Sequence, residues 1–128
     1  MVNRYFFYEK HLPVGFKFSK EFIDVITQDI LPDIELWWFF CTSEKYVDYW
    51  CDKIKKLYPD RLLIPFSNWR YSDDIVCFEG ADTSGNPKVY YVHAFASPGW
   101  EDRGGVSNFE EWLELAQEES LRYKKSKG

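Results

Sequence analysis

Long apolar runs are absent from this 128-residue chain. The longest, Leu36 to Cys41, falls far short of the roughly 20 residues that a membrane-spanning helix needs. The opening MVNRYFFYEKHLPVGF has no hydrophobic region of the kind a secretory signal carries, so the cytoplasm is the expected compartment and no membrane partner is expected. Cysteine is scarce. Cys41, Cys51 and Cys77 make an odd number with no CxxC pair and no metal-like spacing, and their contexts read as small buried apolar positions. A basic excess is lacking too: 21 acids face 16 bases, a formal charge of −5. That balance argues against nucleic-acid binding through a basic face. The bases at Arg122, Lys124, Lys125 and Lys127 suit a helix C-terminus, where cations complement the macrodipole.

Catalytic signals are equally sparse. There are two histidines, His11 beside Pro13 and Gly15, and His93 between Val92 and Ala94. A Cys77–His93 pair on adjacent strands would provide a thiol and a base, but no oxyanion site or orienting third group accompanies it. His93 reads better as a satisfied core histidine. Asp73, Asp74, Glu79 and Asp82 cluster as oxygen ligands for a hard cation would, yet without EF-hand spacing, and they read as strand-end and turn acids. The segment from Ala81 to Pro87 lacks the Gly-Lys-Ser/Thr ending of a phosphate loop and the paired glycines of a dinucleotide fingerprint. Its Asp-Thr-Ser-Gly also misses the aspartic-protease signature by one inserted Ser. No cofactor and no metal are expected, and the chain is expected not to be an enzyme.

What the chain has in quantity is aromatic side chains: eleven Phe, nine Tyr and six Trp, a fifth of all residues. Rings of this size belong mostly in a core, with a minority available for recognition. Ser19 precedes a helical stretch in which Phe22, Ile23, Ile26 and Ile30 recur at helix spacing, and Phe18 sits where a hydrophobic staple would. Leu31-Pro32 closes that helix, and Pro32 can open the next. DIELWWFF, apolar on nearly all sides, reads as a buried helix or helical turn. Between Ser43 and Tyr58 a stripe of Tyr46, Val47, Trp50, Cys51, Ile54, Leu57 and Tyr58 marks an amphipathic helix. Glu44, Asp48 and Asp52 lie on another, solvated face. Leu62 to Phe66 reads as a short strand, with Pro65 pointing to an edge or a strand end, and Ile75 to Phe78 as another. Lys88 to Phe95 alternates two largely apolar faces, as a covered central strand does. A last helix starts near Ser107 or Asn108, each with a capping-box Glu three residues on, and turns Phe109, Trp112, Leu113, Ala116, Ser120 and Tyr123 inward.

The fold expected is a single α+β domain over residues 1–128: helices first, then a mostly antiparallel sheet of four or more strands, then a helix packed on it. The loop from Ser97 to Gly105 brings Trp100 together with Glu101, Asp102 and Arg103, an aromatic anchor with a charged rim. With Asp82 and Asn86 from the preceding loop, these four residues form the partner-binding set expected from the sequence.

Three pieces in order, Ile64-Pro65-Phe66, Asp73-Asp74-Ile75 and Phe109-Glu110-Glu111-Trp112-Leu113, resemble the SUKH superfamily of Smi/Knr-type proteins. Leu31-Pro32-Asp33-Ile34 resembles that family's early Leu-Pro helix start. Ser72 stands where the family often has glycine, and the glycine pair common after that helix is missing beyond Phe40. The resemblance implies the same fold and a non-enzymatic, protein-binding function: a bacterial immunity protein that neutralises a toxin by contact, with a basic toxin domain such as a nuclease as partner. A regulatory adaptor of the same superfamily is the alternative, and a small hydrolase using His93 and nearby carboxylates is the outside candidate. Oligomeric state and partner identity are not encoded in any motif.

Overall fold

Ser19 turns the chain into its first helix. Its hydroxyl accepts the Phe22 N–H at 3.1 Å, satisfying one orphan donor at the start of α1 (Lys20–Ile26). In this computed structural model, which describes residues 4–70, 72, 74–94, 96 and 102–127, Phe22 and Ile26 are buried and Phe18 lays its ring on Phe22, centroids 4.8 Å apart. The helix stops a turn earlier than the apolar spacing through Ile30 implies. Thr27 takes the C-cap and its hydroxyl bonds back to the Ile23 carbonyl at 2.7 Å, a local bond that competes with continuation. The Arg4 guanidinium, from a 3-10 helix at Arg4–His11, donates to the Ile26 and Gln28 carbonyls at 3.0 and 2.6 Å. Ile30 is left 84% exposed.

The DIELWWFF segment is not helical, nor does Pro32 open a helix. Leu36 has φ +85°, a left-handed conformation that a helix cannot pass through. β1 (Trp37–Phe39) follows, then one 3-10 turn at Phe40–Thr42. A run apolar on all sides fits a short strand covered on both faces as well as a buried helix. Here Trp37 and Phe39 face one side and Trp38 the other.

Helix α2 (Glu44–Leu57) matches its stripe at Val47, Cys51 and Ile54, with Tyr58 buried at the C-cap. Tyr46 and Trp50 lie on its margin: Tyr46 is 47% exposed and Trp50 half-buried. The acidic ridge is only partly solvated, since Asp48 receives Lys10 Nζ at 3.1 Å and faces His11 Nε2 at 2.8 Å. These contacts fasten the first 3-10 helix to α2, and His11 first, then Lys10, holds the Asp48 carboxyl below its ordinary pKa.

β2 (Leu63–Trp69), β3 (Asp74–Glu79), β4 (Val89–His93) and β5 (Asp102–Val106) complete a five-stranded antiparallel sheet in the order β1-β2-β3-β4-β5. β2 is longer than the sequence suggests and lies between β1 and β3, although Pro65 itself stands on a stretch that β1 does not cover. It continues past Pro65 because a bulge between Pro65 and Ser67 absorbs the missing donor, and because β1 pairs only with Ser67 to Trp69. The Pro65 carbonyl instead accepts the buried Tyr8 hydroxyl at 2.8 Å. β5 lies in what the sequence suggests is a loop. Its Gly104 adopts φ +95° in a register shift opposite Tyr90 and Val92, so glycine permits a bulged edge strand rather than ending the sheet. Phe95 lies outside the described residues.

Helices cover both faces. Phe22 of α1 and Phe109 of α3 (Phe109–Lys127) meet Phe66 and Phe78 edge-on or tilted. Cys77 alternates to the opposite face, where α2 brings Cys51. Asn108 caps α3, accepting the Glu111 N–H at 2.9 Å. Phe109, Trp112, Ala116 and Ser120 are buried beneath that helix, and Lys124 pairs with Asp33.

Candidate functional site

Antiparallel meanders place successive loops at opposite ends of the sheet. Asp82 and Asn86 lie in the β3–β4 loop, beside the Val89–Val106 end of β5. Asp102 lies at the other end, its backbone paired with Val92, with Arg103 next in β5. The two ends are roughly 17 Å apart, the length of β4 at ~3.4 Å per residue. The six residues of the expected partner set therefore do not meet at one loop cluster. Trp100 and Glu101 lie outside the described residues. Asp82 is occupied locally: its carboxylate accepts the Ser84 N–H at 2.9 Å, and the Ser84 hydroxyl accepts the Asn86 N–H at 3.1 Å. The Ser84 hydroxyl and N–H hold the Asp82 carboxyl below its ordinary pKa. These are turn-forming bonds.

At the Asp102 end, on the face covered by α3, the strands converge on a cleft of about 350 Å³. Its walls are Trp37 of β1, Trp69 of β2, Asp74 of β3, Tyr91 of β4 and Glu119 from the middle of α3. Register explains the gathering. Trp37 pairs with Trp69 and Asp74 with His93, and Tyr91, two residues from His93, shares its face. The Trp37 and Trp69 rings meet edge-on at 5.1 Å, and Trp37 and Tyr91 tilt together at 6.1 Å. Trp37 is 7% exposed and its indole N–H has no hydrogen-bond partner. Burial raises the Glu119 carboxyl above its ordinary pKa. The nearby Trp37 indole opposes that shift without closing a hydrogen bond. Burial also pushes the Tyr91 hydroxyl up to about 12, with Glu119 and Glu111 adding to it.

His93 is satisfied but is not a core residue. It is partly exposed, and its Nδ1–H donates to Asp74 Oδ1, a wall of this cleft, at 2.8 Å. The Cys77–His93 pair does not form, since Cys77 lies opposite Tyr90. All three thiols are buried. Burial pushes Cys41 and Cys51 up to about 12 and Cys77 higher still, so none is a thiolate near neutrality. A second groove, about 240 Å³, borders Cys51 with Lys10, His11, Asp52, Lys55 and Arg61. Asp74 and Glu79 stand at opposite ends of β3, and Asp73 lies outside the described residues. Among the described residues no three His, Cys, Asp or Glu side chains gather as metal ligands would.

No family model, curated protein or solved structure matches this chain.

Sequence reasoning missed Trp37, Trp69, Tyr91 and Glu119 as a group. They come from four elements, and no spacing rule joins them. The one hint was Tyr91 and His93 on a shared strand face.

Proposed function

We propose that this protein acts by binding another protein, as a cytoplasmic immunity protein that neutralises a bacterial toxin by contact. The observation that carries the reading is the cleft at the Asp102 end of the sheet, where half-buried Trp69 and Tyr91 stand beside Asp74 and Glu119. Aromatic anchors with a charged rim are the usual make-up of a protein contact. The chain enters β5 at the same end, through Asp102. A formal charge of −5 complements the basic surface that a nucleic-acid-attacking toxin needs, and the resemblance to SUKH proteins supports the same role. Among the described residues no helix is long and apolar enough to cross a membrane.

The test is to express the proteins encoded on either side of this gene, identify any toxin domain among them and measure its binding to this chain. Trp69→Ala and Trp100→Ala should each raise the dissociation rate about tenfold, the effect of losing one interface anchor. Unchanged binding by both variants would move the interface elsewhere on the molecule. Absence of a neighbouring toxin, or failure to bind and protect against one that is found, would remove the immunity role.

A second reading rests on the Asp74–His93 pair, a carboxylate-oriented imidazole of the kind that serves as a general base. Under that reading the protein hydrolyses a small substrate bound in the cleft. A hydrolase activity abolished by His93→Ala, with the thermal midpoint unchanged, would replace the binding-protein reading with this one.

A further inference from the structure

We infer that the cleft between β1, β2, β4 and α3 receives an arginine side chain of the protein partner, its guanidinium lying against the Trp37, Trp69 and Tyr91 rings between the Asp74 and Glu119 carboxylates. The inference rests on the protein-binding reading and adds the chemistry of the partner. Aromatic rings carry a negative π-face that attracts cations. Trp37, Trp69 and Tyr91 lie tilted or edge-on to one another, so they form walls instead of a closed stack. The space between them, about 350 Å³, is ample for one long side chain. Two carboxylates share those walls, which favours a cation over a neutral sugar, the other ligand that stacks on indoles. Arginine suits the cleft better than lysine. Its planar guanidinium is weakly hydrated, stacks on rings and can engage a carboxylate through two parallel hydrogen bonds.

Two features of the cleft wall concern the Glu119 carboxyl. The buried Trp37 indole N–H lies beside the Glu119 carboxyl and favours its ionised form. Glu119 stands near it in an environment that disfavours the carboxylate. Beside a guanidinium the Glu119 carboxylate is favoured, and a charged carboxylate is the stronger acceptor for the neighbouring Trp37 indole N–H. The groups around Glu119 come from α3 and the sheet. Arg122 lies one turn along α3 and favours the carboxylate only as the smallest influence on it. β4 contributes Tyr91, β3 contributes Asp74, which is paired with His93, and β1 and β2 contribute Trp37 and Trp69.

The test uses the full chain labelled with nitrogen-15 and follows the six tryptophan indole N–H signals during titration with N-acetyl-arginine methylamide. The Trp37 and Trp69 signals should shift saturably in the millimolar range, with lysine methylamide several-fold weaker and glutamate methylamide and methyl glucoside silent. Trp69→Ala and, as a surface change that leaves the core intact, Glu119→Gln should each weaken arginine binding about tenfold. In the wild type the affinity should rise with pH as Glu119 ionises, and Glu119→Gln should abolish that rise. Absence of a saturable shift, equal binding of the glucoside, or full affinity in Glu119→Gln would overturn the inference. The two readings also fail separately. A cognate toxin bound equally well by wild type and both variants would sink the arginine cleft and leave the immunity role standing. Arginine binding without toxin binding would do the reverse.

Discussion

Trp112 is fully buried and touches Trp37, Phe39, Phe66 and Phe109. Trp112→Ala should therefore lower stability by about 3–5 kcal/mol, the range for deleting a large core ring. Trp50 lies on a similar stripe of α2 but is half-buried, stacked on Phe40 at 5.5 Å. Its truncation should cost only about 1–2 kcal/mol, because part of the ring is already in water. Urea denaturation of the two variants checks the ranking, and equal losses would contradict the difference in burial. Glu119 makes a prediction of opposite kind. Burial raises its pKa in the folded chain, so as pH rises the unfolded chain gives up its proton first. Stability contributed at this site then falls from the ordinary glutamate value, about 4.3, up through the raised one. Glu119→Gln should flatten that decline and leave the variant slightly more stable near neutrality. The gain should be small, since the group is partly solvated. Urea midpoints for wild type and variant across acid to neutral pH measure the difference.

At the scale of elements, β5 is the strand most exposed to failure. It forms one edge of the sheet and pairs only with β4. A Cβ on Gly105 would run into the Val89 carbonyl oxygen, a clash with backbone that no side-chain rotation relieves. Gly105→Ala should lift β5 away from β4, and hydrogen exchange at Val89 and Tyr90 should accelerate while β2 and β3 stay protected. Gly85 is the control. A Cβ there meets nothing within 4 Å, so Gly85→Ala should cost only the strain of its positive φ, about 1 kcal/mol. Two helices were legible because their signals are local: Ser19 with the α1 start, and Asn108 with Phe109, Trp112 and Ala116 in α3. β5 was not, since Asp-Arg-Gly-Gly-Val has the composition of a loop and becomes a strand only by pairing with β4. β1 was hidden for the converse reason, since a three-residue strand covered on both faces has no periodicity to read.

On the scale of the whole molecule, charge becomes a kinetic property. A net −5 should speed association with a basic partner at low ionic strength and lose that advantage as salt screens it. Neutralising Asp102 should slow association more than neutralising Asp82, because Asp102 lies at the cleft end of the sheet and Asp82 at the far end. Stopped-flow association rates over a salt series measure both effects. A rate independent of salt would remove electrostatic steering from the mechanism. The α+β class, the antiparallel sheet and the capped helices were determined by the sequence itself, through capping residues and apolar periodicity that act over a few residues. The site was decided by tertiary structure. Trp37, Trp69, Asp74, Tyr91 and Glu119 are spread over 83 positions of the chain, and strand register and the crossing of α3 set which of them share a face. Register depends on pairing between distant segments, and that pairing leaves no mark on the spacing of any one of them.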